Sequence, residues 1–227
     1  MKALFVNGSP RKNWNTVKML ESAMKGASEA GAETELVHLY DFNFKGCISC
    51  LACKLKNSKV NGSGLCVFKD ALTPVLEKAL NSDIIVMGTP IYFSFPTGML
   101  RSFIERLVFP VMTYSNDENG NRIKTINKKF YTATIYTMNC PEDLASKIGY
   151  DKVIEIHSAA LGAVLGYTEN LCAYNTLQFN DYSRYEANMF DGNAKAKYKE
   201  EHFPEDLQKA FELGKRLTEM AKGENKN

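Results

Sequence analysis

The sequence MKALFVNGSPRKNWNT, residues Met1–Thr16, decides the fold. The apolar run Ala3–Val6 is long enough for a buried strand, and a polar loop follows it in place of a tight turn. A helical pattern then covers Thr16–Ala30 and stops at Gly31. Strand, polar loop and helix in this order are the first half of a parallel β–α–β unit.

The same alternation continues along the rest of the sequence. Strands are predicted over Lys2–Val6, Glu33–Tyr40, Asp83–Gly88, Phe130–Met138 and Glu169–Phe179. Helices are predicted over Thr16–Ala30, Asp70–Asn81 with Asp70 as N-cap, Gly98–Val108, most of Pro141–Leu165, and Pro204–Ala221. This order predicts an α/β fold with a doubly wound, five-stranded parallel sheet and helices on both faces.

Two segments exceed the minimal pattern. Residues 41–69 form a long connection that contains four cysteines. Residues 111–129 contain an Asn-Gly pair, which is typical of a hairpin turn. Because we find no linker or internal repeat, we predict one domain over residues 1–227 that carries these two insertions.

Composition excludes several classes of partner. The 227 residues are 44% hydrophobic and 24% charged, with a formal net charge of +2. Such a small charge argues against nucleic acid or a membrane surface, and we interpret Lys195, Lys197 and Lys199 as a solvated surface. With no apparent signal peptide and no apolar run of roughly 18 residues, the sequence predicts a cytoplasmic protein. Its six cysteines are then thiols, ligands or redox groups, and not disulfides.

The polar loop after the first strand has the chemistry of a phosphate site. It opens at the carboxyl edge of the sheet, where ligands of such folds bind. The helix that follows offers free N–H groups, and Ser9, Arg11 and Thr16 add further donors. The loop contains neither the dinucleotide-binding motif GxGxxG nor the P-loop motif GxxxxGK[ST]. We therefore predict neither dinucleotide binding by this loop nor nucleotide hydrolysis. The alternative to a phosphate site is a turn that only caps the following helix and carries a surface arginine.

The stretch GTPIYFSFPTGMLRSFIER, Gly88–Arg106, follows the third strand and opens at the same edge. Its aromatic residues Tyr92, Phe93 and Phe95 could hold a flat aromatic ligand. Alternatively, the loop lies in a hydrophobic contact between subunits. Ligand binding and a subunit contact are compatible, because the helix after this loop has an extended apolar face.

Three motifs, GSPRKNWNT, TPIYFSFPTGMLRSFIER and GCISCLAC…GLCVFKD, resemble the flavodoxin-like NAD(P)H-dependent FMN reductase superfamily, and within it the multimeric flavodoxin and iron–sulfur flavoprotein branch. The resemblance covers roughly residues 1–110 and implies a flavodoxin-like sheet of order 2-1-3-4-5 that binds FMN. It implies a phosphate loop at Ser9, Arg11, Lys12, Asn15 and Thr16, and a flavin-ring loop at Pro90, Ile91, Tyr92, Phe93 and Ser94. The loop after the fourth strand, Thr137, Met138 and Asn139, borders the ring in this family, although TMNCPED replaces its usual glycine-rich sequence.

The resemblance also implies a function. We expect an FMN-dependent oxidoreductase that takes electrons from NAD(P)H and passes them to a quinone, flavin, nitro compound or protein. Because the flavin carries the chemistry, no catalytic side chain is predicted, and we interpret His38, His157 and His202 as structural or surface residues. An electron carrier between protein partners and a non-flavin binding protein on the same fold are the alternatives. We expect a homodimer or homotetramer.

Four cysteines form a second candidate site. Cys47, Cys50 and Cys53 form CxxCxxC, and Cys66 follows after twelve intervening residues. Four thiolates can bind a [4Fe–4S] cluster or zinc, or they can act as free or redox-active thiols. The gap before Cys66 is longer than in iron–sulfur members of the resembled family, which favours thiols. Cys172 is predicted to be a buried core thiol.

Overall fold

The computed structural model describes residues 1–56, 58 and 62–224. Five strands form a parallel sheet: β1 (Lys2–Asn7), β2 (Glu33–His38), β3 (Ile84–Tyr92), β7 (Phe130–Thr137) and β8 (Gly166–Ala173). Their spatial order is β2-β1-β3-β7-β8, which is the predicted order 2-1-3-4-5 and confirms the flavodoxin-like fold. The short strands β4 (Phe95–Pro96), β5 (Met112–Asn116) and β6 (Arg122–Lys124) lie outside this parallel set.

Helices cover both faces of the sheet. They are α1 (Asn15–Glu29), α2 (Thr73–Leu80), α3 (Gly98–Val111), α4 (Glu142–Lys147), α5 (Tyr150–Leu165) and α6 (Gly192–Glu224). Side chains alternate along β1, so Leu4 and Val6 pack towards α2, α3 and α5, whereas Ala3 and Phe5 pack towards α1 and α6. The sheet is therefore apolar on both faces, which accounts for the continuous apolar runs in its central strands.

Helices α1 and α6 pack at very short range. A Cβ atom on Gly26 would lie 2.0 Å from the Phe211 carbonyl oxygen, and one on Gly214 would lie 1.8 Å from the Ala23 carbonyl oxygen. Only glycine fits at these two positions.

Several predicted boundaries are wrong, among them the end of β3, which lies at Tyr92 and not at Gly88. The predicted strand Glu169–Phe179 is instead β8, Gly166–Ala173. It is only half buried along most of its length because it lies at the sheet edge, so it lacks an apolar run. The predicted helix Pro204–Ala221 starts at Gly192, where the Asp191 carboxylate accepts hydrogen bonds from the backbone N–H groups of Asn193 and Ala194.

Two further errors concern helices in the middle of the chain. The predicted Pro141–Leu165 is divided into α4 and α5 at Gly149, whose φ of +86° interrupts the helix. Helix α2 starts at Thr73 and not at Asp70, because the Asp70 carboxylate accepts from the Leu72 N–H in the turn before the helix.

The insertions lie on one side of the fold. Strands β5 and β6 pair as the predicted hairpin within 111–129. The predicted insertion at 41–69 contains residues 57 and 59–61, which lie outside the described residues; its described part is mostly irregular, with short 3-10 turns at Leu39–Asp41 and Ala52–Lys54. Within the described ranges, none of the helices combines the length and apolar character that a membrane span needs.

Candidate functional site

A cleft of about 260 Å³ lies at the carboxyl ends of β1, β3, β7 and β8. It brings together ten residues that the sequence assigned to flavin binding: Ser9, Arg11, Asn15, Thr16, Pro90, Ile91, Tyr92, Thr137, Met138 and Asn139. Four further residues complete its wall: Trp14, Thr176, Leu177 and Gln178. The three predicted loops therefore meet around one cleft. That these residues bind FMN stays a prediction.

Asn7 shapes the first loop. Its buried side chain accepts a hydrogen bond from the Ser9 N–H and donates one to the Ser9 carbonyl oxygen, each at 2.9 Å. The Ser9 hydroxyl oxygen accepts from the Arg11 N–H at 3.2 Å, so its own proton is available as a donor. Asn7 was not among the predicted site residues. The sequence pattern ended the first strand at Val6 and placed Asn7 in the loop, whereas Asn7 is the last residue of β1.

The start of α1 is also available to a ligand. Asn15 is its first residue, and no side-chain hydrogen bond from the N-cap residue Trp14 satisfies its first-turn N–H groups. The Thr16 hydroxyl is 2.7 Å from the Thr137 hydroxyl, which joins the first loop to the end of β7. Uncapped N–H groups at a helix start attract anions, as the phosphate hypothesis requires.

The segment after β8, residues 174–178, forms the fourth wall. The Leu177 carbonyl oxygen accepts hydrogen bonds from Trp14 Nε1 at 3.0 Å and Asn15 Nδ2 at 2.8 Å. Arg11 Nη1 donates to the Gln178 carbonyl oxygen at 2.5 Å. The sequence analysis placed this segment inside the fifth strand and therefore did not predict it as part of the site. A segment that follows the last strand lies at the carboxyl edge of the sheet, and this position could have indicated its role.

The loop after β3 is a tight hairpin. Ile91 and Tyr92 pair with Pro96 and Phe95 of β4, which places Phe93 and Ser94 at the turn, with φ of +48° and +74°. The Phe93 side chain is 99% exposed, so this residue and Ser94 lie outside the cleft, whereas Tyr92 lines it. The ring loop predicted at Pro90–Ser94 thus divides into a cleft wall and a projecting tip.

Close contacts connect this loop to the first one. The Thr97 hydroxyl, which caps α3, donates to the Gly8 carbonyl oxygen at 2.6 Å, and the Gly8 N–H donates to the Gly88 carbonyl oxygen at 2.8 Å. A Cβ atom on Gly8 would lie 2.8 Å from Leu100 Cβ. A side chain at position 8 would therefore push the two loops apart.

The third loop presents an unpaired acceptor. Asn139 Nδ2 donates to Gln178 Oε1 at 3.2 Å, while its buried Oδ1 has no partner among the described residues. Backbone bonds hold the loop in place: Met138 N–H donates to the Ala173 carbonyl oxygen at 3.0 Å, and Thr176 N–H to the Met138 carbonyl oxygen at 2.9 Å. Asn139 therefore offers a fixed acceptor at the cleft.

Lys195 supports this loop from behind. Its Nζ donates to the Asn139 carbonyl oxygen at 2.7 Å and to Asn175 Oδ1. The residue is only 7% exposed, and burial lowers the pKa of its ammonium group to about 8. The interpretation of Lys195 as a solvated surface residue is wrong, since α6 begins earlier than predicted and turns this side chain inward.

Lys12 lies outside the cleft. It forms an ion pair with Asp41 at 2.5 Å, in which both side chains are about half exposed, and it lines an adjacent groove with Arg184 and Tyr185. The role of Lys12 as a phosphate ligand stays a prediction. Its charge still lies one residue from Arg11.

The four candidate ligand cysteines line one pocket. Cys47 and Cys50 are exposed, Cys53 is buried and Cys66 is half-buried, and all four face a small, mostly apolar space beside α3. Within the described ranges, no three His, Cys, Asp or Glu side chains are arranged to hold a metal ion. The four sulfurs thus share a pocket without converging on one point.

Two cations lie near this pocket: Arg106, which is buried and lines it, and Lys54, which is half-buried. The Arg106 side chain is fully buried and pairs with Asp70 at 2.5 Å. Lys54 donates to the carbonyl oxygens of Phe109 and Met112, and its Nζ lies 4.3 Å from the centre of the Phe109 ring. Burial lowers the pKa of Lys54, while interaction with Cys53 and Cys47 acts in the opposite direction. Positive charge therefore lies near the sulfurs, together with the acidic residue Glu105, which also lines the pocket.

Comparison with known proteins places the chain in a family. Residues 1–130, more than half of the chain, match the model of the NADPH-dependent FMN reductase family. This chain belongs to that family. The resemblance inferred from its sequence motifs is thereby confirmed.

Its curated relatives include iron–sulfur flavoproteins. One from Archaeoglobus fulgidus is 42% identical over 106 residues, which are 47% of this chain and 48% of that protein. One from Methanosarcina thermophila is 27% identical over 139 residues, 56% of this chain and 69% of that protein. The chain spans about half the length of the first curated relatives it matches.

Solved structures share the fold of this FMN reductase family member. An NAD(P)H:quinone oxidoreductase from Methanothermobacter marburgensis has a TM-score of 0.65 at 15% identity, covering 96% of this chain and 98% of the other. An FMN-dependent NADH-azoreductase from Bacillus anthracis, solved with FMN, has a TM-score of 0.59 at 14% identity, covering 97% and 99%. At these identities the likeness establishes the fold alone.

Proposed function

We propose that this protein is an FMN-dependent oxidoreductase that takes electrons from NAD(P)H and passes them to a small acceptor, such as a quinone, flavin or nitro compound, or to a protein. The observation that carries the proposal is the cleft, in which three separate loops of a family member meet at the carboxyl edge of its sheet.

The residues of the cleft fit FMN. Ser9, Arg11 and the uncapped start of α1 supply donors for a phosphate, and Tyr92 with Pro90 supplies an apolar wall for a flat ring. The unpaired Asn139 Oδ1 can accept a hydrogen bond from a ring N–H. When bound, FMN supplies hydride acceptance and transfer of electrons singly or in pairs. The protein's own groups would bind and orient the ring, and Trp14 and Leu177 line one side of the cleft.

Anaerobic stopped-flow absorbance tests this proposal. FMN-loaded protein mixed with NADPH or NADH should lose its flavin absorbance in a phase whose rate saturates with the nucleotide. Recovery on adding a quinone or a nitro compound would identify the acceptor class. If neither nucleotide reduced the bound flavin, although dithionite did, the reductase assignment would fail.

A second candidate function has its own support. The four cysteines line one pocket, and the curated relatives are iron–sulfur flavoproteins, which favours an electron carrier with FMN and a [4Fe–4S] cluster between protein partners. Cys47, Cys50, Cys53 and Cys66 would hold the cluster, since four cysteine thiolates are its usual ligands. A bound cluster supplies one-electron transfer.

Iron and sulfide analysis of anaerobically purified protein decides between the alternatives for these cysteines. About four irons and four sulfides per chain, lost in Cys50→Ser, support the cluster. Negligible iron with FMN bound supports redox-active thiols. Stoichiometric zinc without iron, after growth in iron-replete medium, excludes both.

We also propose that the protein is a cytoplasmic homodimer or homotetramer. Exposed aromatic residues support a subunit contact: Phe93 is 99% exposed, Phe95 57% and Tyr114 of the β5–β6 hairpin 77%. Light scattering of FMN-loaded protein at micromolar concentration tests this, and a monomeric mass would contradict it.

A further inference from the structure

We propose that the groove beside the flavin cleft binds the adenosine half of the nicotinamide donor and selects NADPH over NADH. The groove has a volume of about 400 Å³, and the residues that carry the inference are Arg11, Lys12, Phe179, Asp181, Arg184 and Tyr185. The inference rests on the proposed reductase function, in which NAD(P)H reduces FMN. It assigns a binding site to the half of the donor that does not react.

The groove continues directly from the cleft. Arg11, Trp14 and Gln178 line both spaces. The nicotinamide ring of a donor must lie against the flavin to transfer a hydride, so the adenosine half has to lie elsewhere on the protein. A dinucleotide can pass from the cleft into the groove along these three shared residues. The wall formed by residues 178–185 lies outside the residues 1–130 that match the family, so family membership does not supply this groove.

Aromatic side chains line the groove. Tyr185 stacks on Phe179 with ring centroids 4.1 Å apart and an interplanar angle of 16°, yet it remains 52% exposed. Phe179 also packs edge-on against Tyr182, with 5.2 Å between the ring centroids. Tyr185 is therefore held by its neighbours while part of its surface stays open, which suits stacking with a nucleotide base.

Three cations and one carboxylate line the groove: Arg11, Lys12, Arg184 and Asp181. The charge of Lys12 is compensated by its ion pair with Asp41 at 2.5 Å, and Arg11 Nη1 donates to a carbonyl oxygen of the cleft wall. Arg184 is exposed in the short 3-10 turn Tyr182–Arg184. Because arginine binds phosphate through paired N–H groups, we assign a phosphate of the donor to Arg184.

Asp181 opposes a phosphate, but its carboxylate bonds to its own turn. Oδ1 of Asp181 accepts hydrogen bonds from the Ser183 N–H at 3.0 Å and from the Ser183 hydroxyl at 2.6 Å. In dinucleotide sites an arginine accommodates the 2′-phosphate of NADPH, whereas an acidic residue binds the 2′-hydroxyl of NADH. Since cations outnumber the carboxylate in this groove, it favours the 2′-phosphate.

Calorimetric titration of the full-length, FMN-loaded chain with adenosine 2′,5′-bisphosphate tests the assignment, because this fragment carries the 2′-phosphate of NADPH and cannot reduce the flavin. Wild-type protein should bind it more tightly than 5′-AMP, which lacks that phosphate. Arg184→Ala should weaken the bisphosphate several-fold and 5′-AMP less, whereas Tyr185→Leu should weaken both fragments alike. The control is Arg122→Ala, which removes an exposed arginine of β6 and should bind both fragments as wild type does.

Two results would overturn the groove as the donor site. One is an equal affinity for the bisphosphate in wild type and Arg184→Ala, or no binding by wild type at millimolar concentration. The other is a parallel loss of FMN affinity in Arg184→Ala, since the substitution would then act through the cleft.

Kinetics separate this inference from the proposed function. If the bisphosphate binds as expected but NADPH does not reduce the flavin, the reductase function fails and the groove stands as a site for phosphorylated adenosine. If NADPH reduces the flavin with the same KM in wild type, Arg122→Ala and Arg184→Ala, the reductase function stands and the groove assignment fails.

FAD carries the same adenosine phosphate chemistry, and its second half would extend from the phosphate end of the cleft. Titration of apoprotein with FMN and with FAD distinguishes the two sources. FAD binding that is no tighter than FMN binding, and that Arg184→Ala leaves unchanged, supports the donor. FAD binding that is tighter than FMN binding, with the difference lost in Arg184→Ala, would assign the groove to the cofactor and overturn the proposal.

Discussion

His157 and Asp206 should have opposite effects on the pH dependence of folding. Burial lowers the pKa of His157 from 6.5 to about 4, and burial raises the pKa of the Asp206 carboxyl from 3.8 to about 6. The His157 side chain is buried beside the Tyr136 hydroxyl, which is 2.7 Å from Nδ1, and its Nε2 has no partner in the described part of the chain. Protonation of this imidazole therefore creates a poorly solvated charge in the folded state.

Each group contributes a few kcal/mol. A folded-state pKa below the unfolded value means that the unfolded state binds the proton more tightly, so His157 costs stability as pH falls from 6.5 to 4. At 1.36 kcal/mol per pKa unit, the loss is roughly 3 kcal/mol. Asp206 has a raised folded pKa, so it regains a similar roughly 3 kcal/mol as pH falls from 6 to 3.8. The two effects nearly cancel in the wild-type protein.

Substitution should separate the two effects. We expect His157→Gln, which keeps an acceptor for Tyr136 but cannot titrate, to gain about 3 kcal/mol over wild type between pH 7 and pH 4. Asp206→Asn should lose about as much over the same range. Urea unfolding followed by circular dichroism at five pH values measures both differences, and other titrating groups cancel in them. A His157→Gln difference that is constant to within about 1 kcal/mol would refute the assignment of a buried neutral imidazole.

Two further predictions concern the first loop. Arg11→Ala and Ser9→Ala should each weaken FMN binding by about 1–3 kcal/mol, as measured by isothermal titration calorimetry, because each removes a phosphate donor. Lys25→Ala is the matched control, since Lys25 is exposed on α1 and does not line the cleft; equal losses in all three variants would contradict the cleft as the FMN site. Gly8→Ala should lower the midpoint of thermal unfolding and also weaken FMN binding, because the added Cβ would lie 2.8 Å from Leu100 Cβ. A midpoint within about 1 °C of wild type, as for a surface substitution, would contradict this prediction and show that the two loops can separate.

The central part of the fold could be predicted from sequence because its signals are local. The run Ile84–Met87 is buried on both faces of the sheet, and this burial requires apolar residues at every position. The loops that follow β1 and β3 could be assigned to a ligand because the carboxyl edge of a parallel sheet is fixed by topology. Ten of the cleft residues follow from this rule together with the family resemblance.

The remaining features depend on tertiary contacts that no local pattern records. Edge strand β8 contains Thr168, Glu169 and Asn170, so its sequence does not read as a strand. The prediction moved the strand towards the more apolar residues that follow, and so missed the fourth wall of the cleft at Leu177. Lys195 looked like a surface residue because lysine is seldom buried, and only the packing of α6 gives it partners.

Binding of FMN in the cleft is the central claim, and the chain offers a direct probe of it. Trp14 is the only tryptophan, and it lines the cleft. Titration of apoprotein with FMN should quench its emission with saturation at one FMN per chain, and Arg11→Ala should require more FMN to reach the same quenching. An emission that FMN leaves unchanged, or that falls without saturation in both proteins alike, would contradict the account.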